Sequence, residues 1–337
     1  MITLGIESTC DETGAAIVQD GSRILSNVTA SSADLHAKYG GVFPELAAQR
    51  HIEVIAPVVQ EALSSAHLTA SSIDLIAVAM GPGLIGSLLV GLQFAKGLSI
   101  AWDKPFIGVN HVEAHLYAAM METLPPLPAL GLVVSGGHTL MLQIHELGRY
   151  ERLGTTVDDA IGEAFDKVAA LLGLPYPGGP AVEALASHGN PKRFALAAGN
   201  VKQRPLDFSF SGLKTAVLYA ARGQNGVGGA PLSDQDKADL AASFQETAIK
   251  SLILKSTLAI QQFPCRSIVV GGGVSNNRRL RTLFEAAFPD LPIFWPPSAL
   301  TMDNAAMIAG LGTQQFIARG YRSDPLDLEA KARIPIA

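Results

Sequence analysis

A two-lobed α/β fold, with halves alike in element order and set around a cleft, is what this 337-residue sequence predicts. Three observations predict it. The composition, 48% hydrophobic and 16% charged with 33 glycines and 20 prolines, fits a turn-rich α/β enzyme and excludes a disordered chain. The run of three strand patterns followed by alternating helix and strand patterns occurs twice. In addition, glycine-rich turns follow strands, where backbone amides can meet an anion.

The first half opens with strands at Thr3 to Glu7, Ala15 to Gln19 and Arg23 to Ala30. A helix follows, its apolar stripe drawn from Ile52, Ile55, Val58, Val59, Ala62 and Leu63. Then come strand Leu75 to Met80, a buried helix, and strand Pro105 to Val109. In the second half, strands read at Ala129 to Val134, Thr139 to Ile144 and Tyr150 to Thr155. Helices are predicted over Asp158 to Leu172, Pro180 to Ser187, Ser211 to Ala221 and Ser233 to Gln262, with the glycine-rich stretch 223–229 as a loop. Strand Ser267 to Val270, helix Asn277 to Ala287, strand Pro292 to Phe294 and helix Asn304 to Ala318 close the chain. The lobes are drawn as 1–109 and 110–337, with the C-terminal tail packing back on the first and the metal and nucleotide sites at their interface.

Only Cys10 and Cys265 occur, too few for a disulfide framework or a cysteine-based zinc site. The first seven residues carry no basic leader, and the expectation is a cytoplasmic protein that does not span a membrane. Leu75 to Ala95 is uncharged, but Gly81-Pro82-Gly83 breaks it, so core burial is the better reading. The net charge of −5 excludes a wholly basic surface, so nucleic acid would need a local patch or partner proteins.

His111 and His115 carry the sharpest chemical signal, because residues four apart on a helix share a face and can point at one ion. Zinc peptidases need Glu directly after the first histidine, and here Val112 stands there, with Glu113 turned to the opposite face. Asp303 is the most economical third ligand, while an N-cap for the helix beginning at Asn304 explains it equally well. Two histidines and a carboxylate with open positions suit Fe(II) or Zn(II). The turns Ser135-Gly136-Gly137-His138, Pro177-Gly178-Gly179-Pro180 and Gly271-Gly272-Gly273 favour a nucleotide cleft, the last preceding a helix start near Asn277. Gly81-x-Gly83-x-x-Gly86 lacks the strand order and distal acid of a dinucleotide site. Glu7, Asp11 and Glu12 cluster at the first turn, and Asp11 and Glu12 are candidates for the chemistry. Lys202 and Arg204, Arg278, Arg279 and Arg281, and Lys331 and Arg333 form short basic runs that would suit an RNA backbone or plain solvent.

Taken in order, several motifs resemble one family. They include Gly5-Ile6-Glu7-Ser8-Thr9-Cys10-Asp11-Glu12-Thr13, Gly40-Gly41-Val42-Phe43-Pro44-Glu45, Gly81-Pro82-Gly83-Leu84 and His111-Val112-Glu113-Ala114-His115. Further along stand Val134-Ser135-Gly136-Gly137-His138-Thr139, Gly162-Glu163-Ala164-Phe165-Asp166-Lys167, Tyr176-Pro177-Gly178-Gly179-Pro180, Phe208-Ser209-Phe210-Ser211-Gly212-Leu213-Lys214, Gly272-Gly273-Val274-Ser275 and Asp303-Asn304. The chain resembles the TsaD family, which threonylcarbamoylates tRNA. The resemblance implies an actin-like, sugar-kinase-like ATPase fold of duplicated RNase H-like lobes. It implies transfer of threonylcarbamoyl from threonylcarbamoyl-AMP to N6 of the adenosine beside the anticodon, in tRNAs reading codons that begin with A. By the same resemblance, His111, His115 and Asp303 hold one Fe(II), or Zn(II), per chain. Val134, Ser135, Gly136, Gly137, His138, Asp166, Gly179 and Asn277 bind the adenylate or another adenine nucleotide (ATP, ADP or AMP), and Glu183 matches a contact made in some relatives. Asp11 and Glu12 match positions that matter for activity. The implied partners are tRNA, a TsaB-type dimerisation protein, a TsaE-type small ATPase, and a TsaC-type synthase supplying the adenylate. The competing readings are a metallopeptidase of the O-sialoglycoprotein endopeptidase type and an ATPase or kinase of the same fold.

Overall fold

The computed structural model describes residues 1–32, 43–222, 232–334 and 336. The 40–42 part of one motif and the 223–229 loop lie outside the described residues. The chain divides into two compact units, one of Met1–Leu124 with Pro296–Ile336, the other Pro125–Trp295.

In the first unit, β1 (Ile2–Glu7), β2 (Glu12–Gln19) and β3 (Arg23–Ser31) form an antiparallel meander. Helix α1 (Pro44–Ser65), β4 (Leu75–Gly81), α2 (Ile85–Trp102) and β5 (Phe106–Asn110) follow, and the sheet runs β3-β2-β1-β4-β5. Central β1 is flanked by β2 and β4, so residues Thr3 to Glu7 are all buried, whereas edge strand β3 alternates. Short helix α3 (His111–Ala118) leaves the end of β5.

The second unit repeats this plan. Strands β6 (Ala129–Val134), β7 (Thr139–Glu146) and β8 (Arg149–Thr155) make the meander. Helices α4 (Ile161–Leu172), α5 (Gly178–Ala186), α6 (Ser211–Arg222) and α7 (Asp234–Gln262) precede β9 (Ser267–Gly271), α8 (Arg278–Ala287) and β10 (Ile293–Phe294). The sheet order β8-β7-β6-β9-β10, with β6-β9 and β9-β10 parallel, matches that of the first unit strand for strand. The duplicated order read from the sequence is therefore present.

Helix α9 (Ala305–Ala318) then returns to the first unit and packs on β1, β2 and α3. A Cβ on Gly5 would lie 2.2 Å from the Ala305 carbonyl oxygen, so glycine is what allows helix and strand to approach. Thr3 and Thr313 join hydroxyls across the contact at 2.7 Å. This seating fixes residue 303 beside α3.

Along the chain the units divide at Leu124/Pro125, and 296–336 lies in the first, where α9 packs on α3. Three expectations need correction. Helix α2 buries only Ser87, Leu88, Gly91, Leu92 and Ala95, leaving Ile85, Leu89 and Ile100 exposed, since it covers one face of a sheet. On α1, Ile52 is 66% exposed and His51 takes its place in the buried stripe. Asp158 stands outside α4; it accepts the Phe210 and Ser211 amides and so caps α6 instead.

Replacing Gly5 by Ala should lower unfolding free energy by about 1–3 kcal/mol or more, because the new methyl meets backbone rather than a movable side chain. Chemical denaturation measures this, and an unchanged midpoint would contradict the close contact.

Candidate metal centre and anion-binding turns

Asn110 ends β5 and caps α3, its Oδ1 accepting the Val112 and Glu113 amides at 2.9 and 3.2 Å. This start presents His111 and His115 on one face, with ring centroids 4.6 Å apart and planes at 78°. Asn304, not Asp303, caps α9, with its Oδ1 accepting from the Met307 amide at 3.1 Å. Asp303 is thereby released from the capping role that the sequence allowed it. Its Oδ1 lies 3.1 Å from His115 Nε2 and 3.5 Å from His111 Nε2. One ligand atom from each of the three residues falls within 4.8 Å of the others. Two imidazole nitrogens and a carboxylate oxygen converging in this way fit a divalent metal with open positions.

Behind His111 stands Glu7, fully buried at the end of β1. Its Oε2 meets His111 Nδ1 at 3.0 Å, and its Oε1 accepts the Thr9 amide at 2.6 Å. A ring that donates Nδ1–H to Glu7 keeps Nε2 for the metal, the usual orientation of a ligating histidine by an outer carboxylate. Burial alone would lower the His111 pKa, yet Glu7 and Asp303 hold it well above the ordinary range. Burial likewise opposes ionisation of Asp303, but the two histidines hold its pKa well below the carboxylate range. Glu113 accepts from Gln315 Nε2 on α9 at 3.1 Å and takes no part in the metal group.

Asp11 and Glu12 lie on the β1–β2 turn and at the head of β2, in the same unit as the metal group. Burial, followed by the charges of Asp303, Asp11 and Glu7, pushes the Glu12 pKa up to about 8. Four carboxylates thus share one neighbourhood, and a cation would relieve it.

In the second unit, the turn 134–138 closes with Ser135 N–H donating to the His138 carbonyl at 2.9 Å. Gly136 and Gly137 are exposed, with open space where a Cβ would stand. Gly272, at φ +92°, passes Val134 so closely that a Cβ would sit 2.5 Å from its carbonyl oxygen. Asp166 accepts the Gly178 amide at 2.7 Å and the Gly179 amide, tying α4 to the start of α5; burial raises its pKa despite these bonds. Glu183 accepts the Arg278 amide at 2.7 Å, and Asn277 Oδ1 caps α8 through Leu280 N–H at 2.9 Å. Asn277 Nδ2 donates to Gln245 at 2.8 Å. Ser135, Asp166, Glu183 and Asn277 therefore already serve the turns and helix starts, and Gly136, Gly137 and Gly179 leave room beside them. Such amide-rich helix starts suit an anion.

The family described as TsaD, tRNA N6-adenosine threonylcarbamoyltransferase, matches residues 23–310. The chain belongs to this family. A tRNA N6-adenosine threonylcarbamoyltransferase of Protochlamydia amoebophila (strain UWE25) is 56% identical over 339 residues, covering 100% of this chain and 98% of its own. The enzyme of the same name from Syntrophotalea carbinolica is 46% identical over 338 residues, covering 100% and 97%. Among solved structures, the Acidaminococcus fermentans (R)-2-hydroxyglutaryl-CoA dehydratase component A matches with TM-score 0.53 at 15% identity, covering 94% of this chain and 98% of its own. HypF of T.kodakarensis reaches 0.62 at 14% identity, covering 95% of this chain and 48% of its own. The ROK hexokinase of Thermus thermophilus reaches 0.50 at 15%, covering 95% and 99%. The fold is that of actin-like ATPases and sugar kinases. This TsaD-family chain is a transferase, and tRNA is its substrate. The family implies a metal and a nucleotide, and the donor set at His111, His115 and Asp303 is the candidate for the metal.

Two residues escaped sequence reading. Glu7 looked like a turn acid, although a carboxylate ending an otherwise apolar central strand is itself a signal. His51 falls at the Ala47–Ile55 spacing of the α1 stripe, and a histidine on a buried stripe needs polar partners. The basic runs are partly engaged: Arg204 pairs with Asp207 at 3.0 Å and Arg279 with Glu246 at 2.9 Å, while Arg281 lies over the Trp295 ring.

Glu7→Gln should weaken metal affinity about 10–100-fold in chelator competition, and an unaltered affinity would sever Glu7 from the site. In the metal-free protein, a carboxyl whose folded pKa exceeds its unfolded value withdraws stability as pH rises from 4.5 to about 8. Glu12→Gln should therefore raise Tm at pH 8 and change it little near pH 4. Equal shifts at both ends would contradict that sign.

Proposed function

We propose that this chain transfers threonylcarbamoyl from threonylcarbamoyl-AMP to N6 of the adenosine beside the anticodon, in tRNAs reading codons that begin with A. The observation that carries the reading is the convergence of His111, His115 and Asp303 in a chain of this family. The N6 lone pair is delocalised into the purine, so it attacks only an activated, aligned carbonyl. In the transfer, an N6–carbon bond forms, the carbonyl–phosphate oxygen bond breaks, one N6 proton is lost, and AMP leaves. When bound, Fe(II), or Zn(II) in its place, supplies a template and Lewis acid for the threonylcarbamoyl group.

The protein's own groups do the rest. Asp11 orients the N6 amine or takes its proton, with Glu12 beside it. The turn 134–138 and the N-terminal ends of α5 and α8, whose first amides Asp166, Glu183 and Asn277 hold in place, favour the phosphate whose charge grows as AMP departs. Gly136, Gly137 and Gly179 permit close approach of that anion. Positioning supplies much of the rate. A TsaB-type dimerisation protein and a TsaE-type ATPase share the work of holding tRNA, in keeping with the net charge of −5, and a TsaC-type synthase supplies the adenylate. The reaction is assigned to the cytoplasm. Peptidase chemistry is not proposed, because Val112 follows His111 and Glu113 is bonded to Gln315.

Nucleoside analysis of tRNA incubated with this protein, its partners and adenylate tests the reading. Threonylcarbamoyladenosine should form, stop with chelator and return with Fe(II); formation at the same rate in chelator would overturn the metal's part. Asp11→Ala should slow single-turnover transfer about 100-fold or more. An unchanged rate would remove Asp11 from the chemistry.

A further inference from the structure

The β1–β2 turn that carries Asp11 and Glu12 is clamped from outside its own strands. His51, in the middle of α1, is buried, as is Thr13 on the far side of the turn. The His51 ring reaches both flanks of the acidic pair. Its Nε2 lies 3.0 Å from the Cys10 carbonyl oxygen, which can only accept, so Nε2 carries the proton. In the neutral ring Nδ1 then accepts from the Thr13 hydroxyl, 2.7 Å away. Residues 10 and 13 bracket Asp11 and Glu12, and one rigid imidazole spans them. Ser87 Oγ donates to the same Cys10 carbonyl at 3.3 Å, and the Ser32 amide donates to the Asp11 carbonyl at 3.1 Å.

Such a clamp answers a specific electrostatic need. Glu7, Asp11 and Asp303 place negative charge around Glu12, on a turn whose residues 8–11 lie outside the regular strands. Mutual repulsion acts to spread that turn, and a side chain bonded to both flanks opposes the spreading. We infer that His51 is the positioning residue for the Asp11–Glu12 pair, holding both carboxylates in register for transfer while touching neither substrate nor metal. The inference rests on the catalytic use of Asp11 and Glu12 proposed above.

Three substitutions separate the two bonds, since Gln places an amide donor near the Nε2 position and Asn an acceptor near Nδ1. His51→Leu removes both, His51→Gln keeps the Cys10 donor, and His51→Asn keeps the Thr13 partner. Single-turnover transfer should fall about 100-fold in His51→Leu, with KM and bound metal within about twofold, and His51→Gln should recover most of it. His51→Leu should cost nothing further in an Asp11→Ala/Glu12→Gln background. Independently of activity, backbone amide exchange in the peptide 9–14 should quicken about tenfold in His51→Leu and return towards wild type in His51→Gln. Wild-type exchange in His51→Leu overturns the clamp. A rate loss that multiplies with the double variant's overturns its action through these carboxylates. Should the Asp11→Ala/Glu12→Gln enzyme itself transfer at the wild-type rate, the catalytic reading falls and takes the clamp's catalytic use with it, while exchange still reports whether the clamp exists.

Discussion

The seating of α9 on β1 is the contact on which the rest of the first unit depends. Gly5 removes the one side chain that would hold helix and strand apart, and the Thr3–Thr313 pair satisfies two buried hydroxyls across the contact. A helix from the C-terminal end of the chain thereby delivers Asp303 to histidines 188 and 192 residues earlier in the sequence. Asn304 takes over the helix cap, so that Asp303 need not serve backbone amides. Structural and chemical duties are divided between two adjacent residues.

The site that results is built from buried charge in alternating sign. Glu7 supports His111, His111 and His115 support Asp303, and Asp303 in turn raises the cost of ionising Glu12. A buried array of this kind is expensive unless each group is paired, and a divalent cation is the species that pairs them all. Without metal, a proton on His111 does part of that work, so metal binding displaces a proton. In the second unit the principle differs: there the structure keeps amides and empty space, not side-chain charge, at the turns around Gly136 and Gly179.

Much of this was legible in the sequence, for physical reasons that vary with the element. The two meanders could be read because β1, β2, β6 and β7 are apolar runs bounded by turn residues, and the topology repeats because the pattern does. The i, i+4 histidines could be read because helix geometry is local. Asp303 could be suggested but not connected, since nothing local links α9 to β1; Gly5 reveals its purpose only once Ala305 stands over it. The return of 296–336 to the first unit is likewise a tertiary contact. Asp158 looked like part of a helix because its cap partners, Phe210 and Ser211, lie more than fifty residues on. Glu7 and His51 were passed over because each reads as an ordinary residue of its element until its partner is seen.

His111, His115 and Asp303, brought together by the seating of α9, are the proposed metal site. Anaerobic titration of Fe(II) into the metal-free protein, followed calorimetrically in two buffers of different ionisation enthalpy, tests it most directly. Wild type should bind one ion per chain with release of protons, and Asp303→Ala should bind none at the same concentrations. Equal binding by both proteins would contradict the claim.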